Sequence, residues 1–264
     1  MPKKQTILAI ETSTTGCSAA LLIQSASDSV IYESWKNAPR QHTDLILPML
    51  DEVLEQANCS LSDVDALAFG CGPGAFTGVR IATSVIQAIA YAANIKVIPV
   101  SSLAALAQGA YRTQGRVDNN SEANVESEPD NVYQNIVVAS DARMNEVYLA
   151  CYKDCSTNMM LIGEEQLLKP EDVGNAIEQF CKNHPQWTAI GNGWSEYQDV
   201  IEPQLTDFPY ATMLSDGLPH AQDIAVLAAV KLANNQYGDA LSALPVYLRN
   251  DVAKKSAAQK MTKI

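Results

Sequence analysis

ALAFGCGPGAFTGVRIATSVIQAIAYAANI, Ala66–Ile95, is the stretch from which the fold can be read. Ala66-Leu67-Ala68-Phe69 is an apolar run of strand length, and Gly70, Gly72, Pro73, Gly74 and Gly78 then break the chain. From Val79 to Ala93, small or apolar residues recur at Val79, Ala82, Thr83, Ile86, Ile89, Ala90 and Ala93, close to the helical period of 3.6. A strand that ends in glycines and feeds straight into a helix gathers free N–H groups and the positive end of a helix dipole at one spot. Such a spot suits an anion or another stretch of backbone. Neither common phosphate loop fits the spacing. GxGxxG needs a third glycine where Ala75 stands, and GxxxxGK[ST] needs a lysine after Gly74, where Ala75 again follows. The turn therefore reads either as a binding corner or as a plain strand-to-helix corner. The helix is apolar or small nearly all round, broken only by Arg80, Ser84, Gln87 and Asn94. A helix of that kind needs cover on several sides, from its own domain or from a partner.

Upstream, Thr6–Ile10, Cys17–Ile23 and Val30–Trp35 have strand patterns, with the polar turn ETSTTG (Glu11–Gly16) between the first two. That turn either places Thr12, Ser13 and Thr14 at a phosphate or uses them because hydroxyl residues favour turns. Gln41–Ala57 predicts an amphipathic helix with the stripe Leu45, Ile46, Met49, Leu50, Val53, Leu54 and Ala57. Thr43 or Asp44 is available to cap it, and Pro48 is tolerated if the helix starts near Leu45 but kinks it otherwise. His42 has no histidine neighbour in sequence and reads as a surface or capping residue.

Downstream, Val97–Val100 and Leu103–Ala110 predict a strand and a helix, and residues 116–131 hold five acids with almost nothing to bury. That acidic stretch reads as a mobile, solvated loop between two lobes. Ile136–Ser140 and Glu146–Tyr152 flank the turn DARMN (Asp141–Asn145), with extended Leu161–Leu168, helix Pro170–Asn183, strand Thr188–Ile190 and helix His220–Asn234 beyond. The order implies an α/β fold of mixed sheets with crossover helices. Residues 1–115 plus 218–264 make the first lobe, and residues 132–217 a smaller second lobe that repeats the strand–turn–strand opening.

Composition sets the outer bounds. A 264-residue chain that is 47% apolar and 18% charged is an ordinary globular protein. Its net charge of −12 argues against an autonomous grip on a nucleic-acid backbone. The six cysteines lie scattered in apolar contexts without a Cys/His cluster, so free thiols in a reducing cytoplasm are expected and a zinc site is not. The apolar run Ile7–Ile10 stops at Glu11, too short for a signal-peptide core, and no stretch suggests a membrane span.

ILAIETSTTGCSAALL (7–22), RQHTDLILPML (40–50), GCGPGAFTGVRIATS (70–84), DARMNEVYLA (141–150) and PVYLRNDVA (245–253) together closely resemble the TsaB (YeaZ) family of bacteria, in the same order and over nearly the whole chain. The resemblance implies the actin/Hsp70/sugar-kinase-like (ASKHA) fold of two related lobes. It further implies a non-catalytic partner of TsaD in making N6-threonylcarbamoyladenosine (t6A) on tRNA, with the TsaE ATPase in the assembly and TsaC supplying the adenylate. ATP and metal are expected on those subunits, with no cofactor on this chain. TsaD-like enzymes hold a metal with an HxxxH pair after the strand matching Val97–Val100; Ser102 and Leu106 stand in its two places here. A hydroxyl is a poor substitute for imidazole, and a leucine cannot ligate.

The family's docking helices match Gln41–Ala57 and Thr77–Ala93. Leu45, Ile46, Met49, Leu50, Val53, Val79, Ala82, Thr83, Ile86 and Ala90 are thereby expected at the TsaD interface, or in a homodimer when TsaD is absent. Each of them reads equally well as ordinary core. The resemblance leaves Thr12, Ser13, Gly72 and Gly74 as vestigial phosphate turns, and tRNA is expected to be held only indirectly. Two rival readings are an ATP-dependent phosphotransferase of the same fold, with ETSTT and GPG at phosphates, and a glycoprotease-like peptidase. The first lacks a clear catalytic carboxylate in a second phosphate loop, and the second lacks both a metal pair and a GxSxG motif.

Overall fold

The computed structural model describes residues 4–25, 28–114, 135–155, 158–214 and 217–249. The acidic stretch 116–131 and the chain beyond Arg249 lie outside the described residues. Strands β1 (Gln5–Glu11), β2 (Gly16–Gln24) and β3 (Ser29–Asn37) form an antiparallel meander. Strand β4 (Ala66–Gly70) joins it parallel to β1, and β5 (Lys96–Val100) parallel to β4. The resulting order is β3-β2-β1-β4-β5. The central strands β1 and β4 are buried along almost their whole length, with an apolar middle Ile7–Ile10 in β1, because both faces of the sheet are covered. Successive side chains of a strand point to opposite faces. Leu8, Ile10, Leu67 and Phe69 accordingly meet α1 (His42–Gln56) and α2 (Phe76–Ala93), while Ile7, Ala9, Ala66 and Ala68 meet α7 (Ala221–Ala233) on the other face.

The second sheet repeats this plan. Strands β6 (Asn135–Asp141), β7 (Val147–Asp154) and β8 (Met159–Leu168) meander antiparallel. Strand β9 (Thr188–Ile190) pairs parallel with β6, and β10 (Thr212–Leu214) parallel with β9. The order is β10-β9-β6-β7-β8. Helix α4 (Val173–Asn183) and the short α5 (Asn192–Glu196) and α6 (Gln198–Ile201) close one face over Val137, Leu149, Ile177, Phe180, Trp187 and Trp194. Helix α3 (Ser102–Gln114) serves both lobes. Its Ala105 sits in the core of the first, and its Leu103, Leu106, Ala107 and Ala110 in that of the second. The two halves therefore share a helix, where the sequence reading divides them after it.

Several expectations need correction. Helix α1 begins at His42, preceded by Gln41, and no side chain caps it. Pro48 thus lies inside the helix, where it removes the amide that would bond the Asp44 carbonyl. His42 is buried, and its Nε2 is 3.1 Å from the Gly16 carbonyl oxygen, which ties α1 to the start of β2.

Of the ten residues expected at a partner surface, Ile46, Met49, Leu50, Val53, Val79, Ala82, Thr83, Ile86 and Ala90 are buried within this chain, and Leu45 alone is partly exposed. They pack on the chain's own sheet, with Thr83 giving its hydroxyl to the Val79 carbonyl at 2.8 Å. The physical reason is that a helix apolar all round does not disclose which stripe meets its own sheet. The outward side carries Phe76, Ala88 and Tyr91, with Ile81, Val85 and Ile89 partly exposed. Among the described residues α2 is the one helix long and apolar enough to cross a membrane, with mean hydropathy 1.2, a correction to the sequence reading. Its inner stripe is nevertheless committed to β4.

Ile86→Asp places an unpaired charge in a side-chain position with no exposure. It is expected to cost about 4 kcal/mol or more and to abolish cooperative unfolding in a urea titration followed by circular dichroism.

Candidate functional site

Glu11 ends β1 with its carboxyl fully buried, directly across from Gly70 at the end of β4. A Cβ on Gly70 would lie 1.9 Å from Glu11 Oε2, so the absence of a side chain there makes room for the carboxyl. Oε1 accepts the Ser13 amide, and Oε2 accepts the Ser102 hydroxyl at 2.9 Å. Burial pushes this acid above the ordinary glutamate value, and the hydrogen bonds from Ser13, Ser102 and the Thr12 amide pull it partly back.

The ETSTT turn that follows docks on the glycine corner. Thr12 Oγ1 donates to the Gly78 carbonyl at 2.7 Å, and the Ala75 amide donates to the Ser13 carbonyl at 2.7 Å. A Cβ on Gly78 would stand 2.0 Å from the Thr12 carbonyl oxygen. The corner is thus a place of close backbone approach, and the backbone that approaches is the chain's own. Gly72 is buried and is overlaid by the C-terminal segment, where the Val246 amide donates to the Cys71 carbonyl at 2.7 Å. Of the four vestigial phosphate-turn residues, Ser13 and Gly74 line a cleft, whereas Thr12 and Gly72 do not.

That cleft, of about 420 Å³, lies between the lobes; Ser13, Thr14, Gly74, Ser102 and Leu106 form one wall and Asp141, Arg143 and Asn192 the other. Asp141 is a local hub. It accepts the Arg143 amide at 2.8 Å and the Tyr197 hydroxyl at 2.9 Å, and it pairs at 3.2 Å with the largely exposed Arg143 guanidinium. Burial and the hydrogen bond to Asp141 push the Tyr197 hydroxyl up to about 12. Arg143, Met144 and Asn145 all adopt left-handed backbone, with φ of 63°, 59° and 59°. That conformation costs roughly 1–2 kcal/mol per residue. Arg249 stabilises the turn by donating to the Ala142 and Arg143 carbonyls, each at 3.2 Å, while pairing with Glu146. The sequence reading identified the turn DARMN but missed Arg249 as its clamp, because no spacing links residues so far apart.

A metal does not fit this cleft. Ser102, in the first histidine place, spends its hydroxyl on Glu11, and Leu106, in the second, is a buried hydrocarbon. Among the described residues no three His, Cys, Asp or Glu side chains converge as a ligand set. The three histidines are dispersed: His42 contacts the Gly16 carbonyl, His184 the Phe180 carbonyl and His220 the Glu33 carboxylate.

Comparison with known proteins agrees with this architecture. The family model described as TsaD, tRNA N6-adenosine threonylcarbamoyltransferase, matches residues 35–257. The Escherichia coli tRNA threonylcarbamoyladenosine biosynthesis protein TsaB is 37% identical over 94% of this chain and 96% of its own length. The chain is a member of the TsaB family. The Haemophilus influenzae TsaB is 35% identical over 95% of the chain and 96% of its own length. The solved structure described as YeaZ from Pseudomonas aeruginosa superposes with a TM-score of 0.73 at 38% identity, covering 92% of this chain and all of that one. The two-lobed ASKHA-like architecture with paired mixed sheets is the family's own.

Two predictions test the geometry of the turn. Gly78→Ala is expected to cost about 3 kcal/mol, at the upper end for overpacking, because the Thr12 carbonyl has no room to withdraw; urea unfolding measures it. Glu11 holds its proton more tightly folded than unfolded, so its contribution to stability is complete below about pH 4.5 and is lost as pH rises through the higher folded value. Glu11→Gln should remove that loss, flattening the fall in stability with pH, as unfolding midpoints taken across a pH series will show.

Proposed function

We propose that this chain is a docking subunit in the synthesis of N6-threonylcarbamoyladenosine on tRNA, seating a TsaD-type transferase and performing no chemistry itself. The observation that carries this reading is the floor of the cleft, where Ser102 is bonded to a buried carboxyl and Leu106 presents hydrocarbon in the places of two metal-binding imidazoles. The relatives' names support the pathway, since those proteins are called tRNA threonylcarbamoyladenosine biosynthesis proteins. The phosphotransferase reading has less support, because the ETSTT turn fills the glycine corner that would cradle a phosphate. A serine peptidase needs a histidine beside a nucleophile, and the three histidines are engaged elsewhere.

The docking face is the outer stripe of α2, formed by Ile81, Val85 and Ala88 and flanked by Phe76 and Tyr91. Phe76 is 53% and Tyr91 82% exposed, large apolar surfaces that a partner's helices would remove from water at about 25 cal/mol per Å2 before association costs. TsaD occupies this face in the working assembly, and a second copy of the chain occupies it when TsaD is absent. TsaE joins the assembly, and ATP, metal and the grip on tRNA belong to the partner subunits.

Mixed with TsaD, the chain is expected to co-elute as a stoichiometric complex in size-exclusion chromatography with light scattering, and to support tRNA modification only in that company. Ala88→Asp should abolish co-elution while leaving the melting temperature of the chain unchanged. A wild-type chain that neither co-elutes nor supports modification would overturn the reading.

A further inference from the structure

A second cavity, of about 620 Å³, opens between β3, α3, β9, β10 and the start of α7, and nothing in the proposed docking role uses it. Its walls are apolar, built from Leu106, Ala110, Ile190, Met213, Leu214 and Leu218. Its polar rim is Trp35, Asn37, Arg112, Thr113 and His220. No Asp or Glu lines it among the described residues, in a chain where acids outnumber Lys and Arg 30 to 18.

The carboxylates stand one layer behind and hold Arg112 and His220 in place. Asp223, wholly buried, takes Arg112 Nε at 2.8 Å and Nη2 at 3.0 Å, which fixes the guanidinium plane and leaves Nη1 outside that pair. Glu33 lies 3.3 Å from His220 Nδ1 through both oxygens, and the imidazole stacks on the Trp35 indole at 5.2 Å and 8°. Trp35 remains 42% exposed, an unusual disposition for the largest aromatic side chain. An oriented guanidinium, a flat indole platform and apolar walls match one ligand chemistry: an anionic group attached to a planar apolar body.

We infer that this cavity is a binding site for a small organic anion, an aromatic carboxylate, sulfonate or phosphate, whose ring lies against Trp35 and whose charge meets Arg112. The site is separate from the outer stripe of α2, so its occupancy and TsaD docking are measured independently.

Trp35 offers the readout, because the other two tryptophans, Trp187 and Trp194, are 0% and 1% exposed. Anilinonaphthalene sulfonate, titrated into the folded full-length chain, should bind at one saturable site and quench the exposed-tryptophan emission. The uncharged phenylnaphthylamine should bind about tenfold more weakly, the loss expected for a charge-assisted contact. Thr113→Glu, at the exposed C-terminal end of α3 on the rim, should weaken the sulfonate about tenfold and leave the neutral probe unchanged. Trp35→Leu should remove the quenching and weaken both probes. Circular dichroism melts establish that each variant is folded. Equal affinity for the two probes, indifference to Thr113→Glu, or a wild-type emission that does not respond would each overturn the inference.

Discussion

The contact between the Thr12 carbonyl and Gly78 constrains the rest of the molecule. It fixes the turn leaving β1 against the first turn of α2, and no side chain can be inserted between them. Because β1 and β4 are parallel neighbours in register, this one approach sets the angle at which α2 leaves the sheet. It thereby decides which stripe of the helix lies on Phe69 and Leu67 and which faces outward. The same turn delivers Glu11 into a space that Gly70 leaves open. A buried carboxyl costs several kcal/mol unless it is neutralised or hydrogen-bonded. Here it receives the Ser13 amide and the Ser102 hydroxyl, so β1 is tied to the start of α3, the helix common to both lobes.

Across the cleft, the second lobe uses different means to fix its own first turn. Three left-handed residues in sequence are unfavourable alone, and the Arg249 guanidinium offsets that cost by bonding two of the turn's carbonyls and Glu146. The segment that brings Arg249 there has already bonded Cys71 through Val246, and Arg80 Nε donates to Tyr247 at 2.8 Å. The C-terminal strap therefore spans from the glycine corner of one lobe to the DARMN turn of the other, and both walls of the cleft are built on it.

Much of this was legible in the sequence because it is periodic. The alternation or continuous apolarity of Thr6–Ile10, Cys17–Ile23, Ala66–Phe69 and Thr188–Ile190 places strands within a residue or two of their observed bounds. The five ordered motifs place the chain in its family. What the sequence did not disclose is which side of α2 faces inward, since Val79, Ile81, Val85 and Ile86 look alike until a sheet is set beside them. Nor did it disclose the pairs distant in the chain: Thr12 with Gly78, Glu11 with Ser102, Arg112 with Asp223 and Arg249 with Glu146. Each joins residues with no shared period, and each exists only once the sheets have formed. The glycines were rightly read as sites of close approach, but a phosphate and a peptide carbonyl make the same demand on the residue beneath them. Only the three-dimensional neighbour distinguishes the two.

That ambiguity bears on how the floor of the cleft is held. At position 102 the serine hydroxyl is short enough to bond the carboxyl below it. The acid is thereby satisfied internally, and burial favours its protonated form. Leu106 extends the second lobe's core to the cleft wall. A histidine at position 102 alone would therefore leave Glu11 short of a donor, with Leu106 still apolar and the Thr12–Gly78 contact still closing the corner. The floor of the cleft is thus set by several coupled contacts, and no single substitution alters one without disturbing the others.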